Sequence, residues 1–259
     1  MTWTTRQRSE FQGLAAVEAG SGPAVMLIHG VGLRSEAWLR QIDALSARYH
    51  ILAVDLPGHG GSRGLSPDPD LEDFTDAFAA LLSEPSLVVG HSMGAMIALD
   101  MARRYPQWVR GVAALNAIFE REPKAAQAVQ ARALELDGVS AIDPSKTLSR
   151  WFGDAETPER DACRLWLETV DPAGYRIAYR IFAARNGPKA SDLATLRQPA
   201  LFLTGGAEPN STPAMSDKMA ALAPKGRSII VPDAAHMLPM SHAEAANAAL
   251  KDFAAEVFS

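Results

Sequence analysis

Five consecutive residues, Gly90-His91-Ser92-Met93-Gly94, carry the strongest chemical signal in the chain. The apolar run SLVVGHS leads into them and the helical run AMIALDMARRY leads out. A serine in so sharp a strand-to-helix turn needs small residues two positions before and after it, because a Cβ there would strike backbone. The turn lifts the hydroxyl clear of the sheet at a helix N-terminus, whose free N–H groups favour developing negative charge. Ser92 therefore reads as a nucleophile; the alternative is a serine that only caps the helix.

A serine hydroxyl attacks poorly until a base takes its proton. Of six histidines, His236 in VPDAAHMLPM follows an apolar strand near the chain's end, and an elbow serine is followed along the chain first by its acid and then by its histidine. His242 precedes a helical run and reads as a solvent-side or capping residue, and His50 belongs to the turn before a strand. In IHGVGLRSEAW, His29 reads as a brace for the loop. The backbone N–H of Val31 in that loop pairs with that of Met93 as an oxyanion hole, each donor supplying a few kcal/mol of barrier lowering. In DLPGHGGS, Asp55 and His59 read as ties between loops.

The elements that must hold these residues are short apolar runs alternating with helical patterns. AVMLIHG (24–30), ILAVDLPG (51–58), SLVVGHS (86–92), VRGVAALN (109–116), PALFLTG (199–205) and RSIIVPDA (227–234) read as strands buried on both faces. Helices are expected over 35–49, 71–82, 93–105, 213–222 and 243–257. This alternation implies right-handed βαβ crossovers and a doubly wound, mostly parallel sheet. Residues 119–196 break the rhythm: they are helix-like, rich in Ala and Arg, and hold no strand signal. The division expected is a core of 1–118 and 197–259 with a helical cap of 119–196 inserted after the strand at 109–116.

Bulk composition narrows the classes. With 47% hydrophobic residues the chain has ample material for a core. Its 25 Lys and Arg against 30 Asp and Glu, net −5, are scattered, which gives no reason to expect a nucleic-acid partner. Cys163 is alone, so no intramolecular disulfide forms and a cysteine metal cage is disfavoured; it reads as a small buried hydrophobe. The start, MTWTTRQRSEF, lacks the roughly 7–15-residue apolar core of a signal peptide, and no run reaches the roughly 18 residues that span a bilayer. A cytoplasmic chain without membrane, metal or cofactor partners is expected; oligomeric state is not legible.

With HGVG, DLPGHGGS, GHSMG and the late histidine of AAHMLP together, the sequence resembles the α/β-hydrolase family over nearly its whole length. The segment RWFGDAETPERDACRLWLETVDPAGYRIAYRIFAARN looks like the lid of 3-oxoadipate enol-lactonases, although AARNGPKA stands where those lids carry an acidic residue after the GY helix. The resemblance implies that Ser92 attacks a carbonyl, His236 shuttles the proton and the amides of Val31 and Met93 hold the oxyanion. It also places the triad acid in the G-x-x-D-like loop of LTGGAEPNSTP, at Glu208. Glu120, after the strand preceding the cap, is a rival acid; Asp233 lies so near His236 that it reads as a loop brace. The expected substrate is a small carboxylic ester or lactone, with a C–C hydrolase of a diketone-like compound and a non-hydrolytic binding protein as alternatives. Trp151, Trp166, Tyr175, Tyr179 and Phe182 give the cap an apolar character, and Arg150, Arg164, Arg176, Arg180 and Arg185 are candidates to meet a substrate carboxylate.

Overall fold

The chain opens with a hairpin that apolar patterning does not announce. β1 (Ser9–Phe11) and β2 (Leu14–Ala19) are joined by Gln12 and Gly13, both at positive φ (51° and 86°), as a two-residue hairpin turn with right-handed strand twist requires. The computed structural model describes residues 3, 6–65 and 68–259; Met1, Thr2, Thr4 and Thr5, part of the stretch read as lacking a leader, lie outside the described residues, as do Ser66 and Pro67.

β3 (Ala24–Ile28) leads to a 3-10 turn at Ser35–Trp38, α1 (Leu39–Leu45) and β4 (His50–Val54). The helix expected over 35–49 is thus two shorter pieces, because Trp38 sits outside helical ψ between them. α2 (Leu71–Ala79) starts at a capping box of Asp70 and Asp73 and ends short of Leu82. Then follow β5 (Ser86–His91), α3 (Met93–Arg104) and β6 (Val109–Leu115). Five helices come next: α4 (Pro123–Glu135), α5 (Ser145–Phe152), α6 (Pro158–Thr169), α7 (Pro172–Ala184) and α8 (Ala190–Ala194). β7 (Ala200–Gly205), α9 (Pro213–Leu222), β8 (Gly226–Val231), α10 (Leu238–Ser241) and α11 (Ala243–Val257) complete the chain.

The eight strands form one sheet in the order β1-β2-β4-β3-β5-β6-β7-β8, antiparallel at β1–β2 and β2–β4 and parallel elsewhere. Met26 and Ile28 of β3 pack with Phe74, Phe78 and Ile97 on one face, while Val25 and Leu27 pack with Trp38, Ile42 and Phe253 on the other. Burial on both faces accounts for the near-continuous apolar strands. A third cluster joins Trp151, Cys163, Trp166, Leu167, Tyr175 and Tyr179 to Leu33, Ala37, Met237 and Met240, seating α5, α6 and α7 on the segments that follow β3 and β8. Cys163 is fully buried there, and burial pushes its thiol well up. Chain order reverses between β3 and β5, which pair Ile28 with Gly90. Such a switch point opens a crevice at the strands' carboxyl ends, where His29–Gly30 and Ser92 lie.

Candidate active site

Ser92 sits at φ 56° and ψ −116°, a conformation that costs on the order of 1–3 kcal/mol in a non-glycine residue and needs support around it. The support is backbone: Ser92 N donates to Leu115 O at 2.9 Å, and Ala95 N donates to Ser92 O at 3.0 Å. A Cβ on Gly90 would lie 2.0 Å from Gly94 O, and one on Gly94 would lie 2.1 Å from Ile28 O. Only glycine fits either position. The Ser92 side chain makes no capping hydrogen bond, which removes the helix-cap alternative.

His236 and Glu208 meet from neighbouring strand ends. His236 Nδ1 donates to Glu208 Oε2 at 2.7 Å, and Glu208 Oε1 accepts the backbone N–H groups of Asn210 (2.8 Å) and Ser211 (3.4 Å). Burial alone would raise the Glu208 carboxyl. The charge of His236, its hydrogen bond and the two amides outweigh burial and bring the carboxyl down to about 2. The pairing fixes His236 with its proton on Nδ1 and leaves Nε2 to accept another. The two loops are clamped together, Gly206 N donating to Val231 O (2.8 Å) and Ala207 N to Ala234 O (2.9 Å). Glu120 is exposed at φ 50°, with its amide on Asn186 O, and stands apart from this pair. Asp233 is exposed at φ 59° in the turn before His236.

The remaining histidines brace. His29 donates from Nδ1 to Gly30 O (2.8 Å) and accepts Leu56 N at Nε2 (2.9 Å), and burial holds it neutral at about 3. His59 donates to Pro57 O at 3.1 Å. Asp55 accepts Ser35 N, Ser35 Oγ, Arg8 Nε and Gly61 N at 2.6–2.8 Å, tying the loops at Ser35 and at 55–61 to Arg8, just before β1. His242 contacts Ser241 Oγ ahead of α11, and His50 faces Glu18 on the surface.

Gly30 approaches Ser92 so closely that a Cβ there would sit 3.1 Å from Ser92 Cβ, which sets Val31 beside the elbow. Met93 is the first residue of α3, so its N–H is among those a helix leaves without an intrahelical acceptor. Ser92, His236 and Val31 line one cavity of about 320 Å³, walled by Trp151, Tyr175, Tyr179 and Phe182. Trp166 lies outside it, edge-on to Trp3. Among the described residues no cluster of His, Cys, Asp or Glu is placed to hold a metal ion, and no helix is long and apolar enough to cross a membrane.

Residues 25–249 match the profile of the alpha/beta hydrolase family. The chain belongs to that family. It is 38% identical over 240 residues to the (E)-2-((N-methylformamido)methylene)succinate hydrolase of Acinetobacter baylyi, covering 90% of this chain and 91% of that one. It is 30% identical over 240 residues to the pimeloyl-[acyl-carrier protein] methyl ester esterase of Edwardsiella ictaluri, covering 89% and 92%. The enol-lactonase from Burkholderia xenovorans LB400 shares the fold, with a TM-score of 0.82 at 22% identity over 96% of this chain and 100% of that one.

Several further residues of this alpha/beta hydrolase contact His236 and Glu208, of which sequence pointed only to Trp151, as part of the apolar cap. His91 donates from Nε2 to His236 O at 2.8 Å, its ring 4.9 Å from that of His236; burial, then repulsion from His236, lowers it to about 3 and keeps it neutral. Trp151 stacks on His236 at 5.5 Å and 23°. Asn116 directs Nδ2 to Glu208 Oε2 at 3.3 Å. Of the five cap arginines, most of which read in sequence as solvated helix faces, Arg150 lines the cavity; Arg164, Arg180 and Arg185 pair with Glu156, Asp68 and Glu72, and Arg176 is exposed. Arg121 and Arg132, unnoticed in sequence, line it instead.

Proposed function

We propose that this hydrolase cleaves a small carboxylic ester or lactone through an acyl-Ser92 intermediate, with residues 119–196 acting as the cap over the site. The observation that carries the reading is the buried Glu208 holding His236 at 2.7 Å in the cavity that Ser92 enters on its strained turn. Ser92 Oγ attacks the carbonyl carbon while its proton passes to His236 Nε2. Glu208 stabilises the imidazolium, and the amides of Val31 and Met93 receive the oxyanion. Collapse expels the alcohol with that proton and leaves acyl-Ser92. Water then gives a proton to His236 and attacks the acyl carbon; the acid departs as Ser92 regains its proton.

The 38% identity to the Acinetobacter protein favours a second reading, in which the group attacked belongs to an amido-methylene succinate rather than an ester. Labelling with a fluorophosphonate and turnover of a panel of methyl esters, lactones and amido-methylene succinates test both. Label and turnover are expected in wild type and absent in Ser92→Ala. Turnover that survives Ser92→Ala overturns the serine mechanism. Turnover confined to the succinate compounds selects the second reading.

A further inference from the structure

We propose that Arg121, Arg132 and Arg150 form a carboxylate-reading wall in the cavity of Ser92, so that the substrate of this hydrolase carries a carboxylate. The inference rests on the hydrolytic reading above and names its substrate class. All three side chains line the cavity, and among the described residues none has a carboxylate within ion-pair distance. Other arginines of the chain, such as Arg8, Arg104 and Arg185, do have such partners. The lining holds a single acidic side chain, Glu122, which is exposed.

Arg121 carries most of the argument. It is 7% exposed, its Nη1 donates to Arg185 O at 2.6 Å, and its guanidinium lies 4.4 Å over the Phe182 ring. Its Nη2 is buried with no protein partner. Burial lowers its pKa to about 10. A buried cation with an unused N–H is costly unless an anion joins it, and the planar fork of arginine matches two carboxylate oxygens. Arg132 is half-buried and pre-positioned: Nη2 donates to Thr147 Oγ1 at 3.0 Å, and the guanidinium lies 5.5 Å over Tyr179. Arg150 is exposed at the cavity's edge, where a cation attracts an anion before it docks. The three thus grade from solvent inward, in a chain whose net charge is −5. The volume of about 320 Å³ is near the low end of the roughly 300–1,000 Å³ of small-molecule sites, which favours a small substrate.

The test compares monomethyl succinate with methyl succinamate, its uncharged amide isostere, following acid release at constant pH. Wild type is expected to favour the charged ester in kcat/KM by on the order of 30-fold or more, the scale of a buried charge pair. The ratio of the two substrates cancels any general loss of folded enzyme. Arg121→Gln and Arg132→Gln should each collapse that ratio at least tenfold, and Arg150→Gln should lower it less, with the loss vanishing in high salt. A wild-type ratio within threefold of one, or a ratio that all three variants preserve, overturns the wall. If neither ester turns over, the ester reading fails by itself, and the melting temperature decides the wall. A rise with succinate but not succinamide, abolished in Arg121→Gln, upholds it; no such rise overturns it.

Discussion

Replacing Glu208 with glutamine isolates the charge from the shape of the proposed triad. The carboxyl falls from 4.5 to about 2 against its own burial, and at 1.36 kcal/mol per unit this is roughly 3 kcal/mol in favour of the carboxylate. When His236 becomes an imidazolium, attraction across about 4 Å at an effective dielectric of about 20 is worth about 4 kcal/mol, close to three decades in rate. A second effect comes from direction. Oε1 accepts the amides of Asn210 and Ser211, so the glutamine oxygen keeps that place and its NH2 turns toward His236. That contact favours the tautomer with Nδ1 unprotonated and Nε2 carrying the proton, which cannot accept one from Ser92. We therefore expect kcat of Glu208→Gln to fall by about 10³–10⁴, with KM changing far less. Glu208→Asp, one methylene short of His236, should recover part of the loss, and Glu120→Gln should behave as wild type. The assay is acid release from the best methyl ester at constant pH. A Glu208→Gln enzyme within tenfold of wild-type kcat, while His236→Ala is inactive, refutes the assignment of the acid.

Gly94→Ala should destabilise the fold by ~3 kcal/mol or more in urea unfolding, because its Cβ would meet Ile28 O at 2.1 Å; an unchanged midpoint contradicts the tight elbow. Trp151→Leu keeps an apolar side chain but loses the ring on His236, and a stack of about 1 kcal/mol predicts a loss of up to tenfold in kcat/KM. Acid should unfold the protein early. Burial lowers His29 and His91 to about 3 and His59 to about 4 from 6.5, so between those values the unfolded chain binds protons that the folded chain does not. Their stability contribution is full above 6.5 and drains as pH falls toward 4 and 3, at ~2 kcal/mol per histidine by pH 5. Glu208 adds to the loss only below 4.5, down to about 2. Urea midpoints that match at pH 8 and pH 5 would show that these histidines are not neutral in the folded state.

What was legible in the sequence was local or fixed by chain order. The elbow is five consecutive residues whose glycines are dictated by contacts at 2.0 and 2.1 Å, so the constraint is written at the site itself. Chain order points to His236 and the family resemblance to Glu208, and the structure brings the two together because β7 and β8 are parallel neighbours whose following loops leave the same end of the sheet. The β1–β2 hairpin carries a weak sequence signal because β1 is a three-residue edge strand with no buried residue, and β2, although buried over Leu14–Val17, is half alanine. His91 looked like the free position of G-x-S-x-G, and nothing local reveals that its ring reaches His236 O, 145 residues away.

The cavity wall was illegible for a different reason. α4 contains no fully buried residue, yet Ala125, Ala128, Val129 and Arg132 from it face the cavity. A helix exposed to solvent on one side and to an open cavity on the other shows no strong apolar stripe. Its arginine therefore resembles any solvated arginine until the fold shows what it lacks, a carboxylate partner. The same contrast separates what each part tolerates. The floor depends on positive φ at Ser92 and Asn116 and on backbone clamps between loops, so a substitution there strains the sheet. The wall depends on side chains projecting from helices, where Arg132→Gln changes a charge and leaves the backbone alone. On the proposed reading, substrate choice is thus free to drift along α4 and α5 while Ser92, Glu208 and His236 hold their geometry.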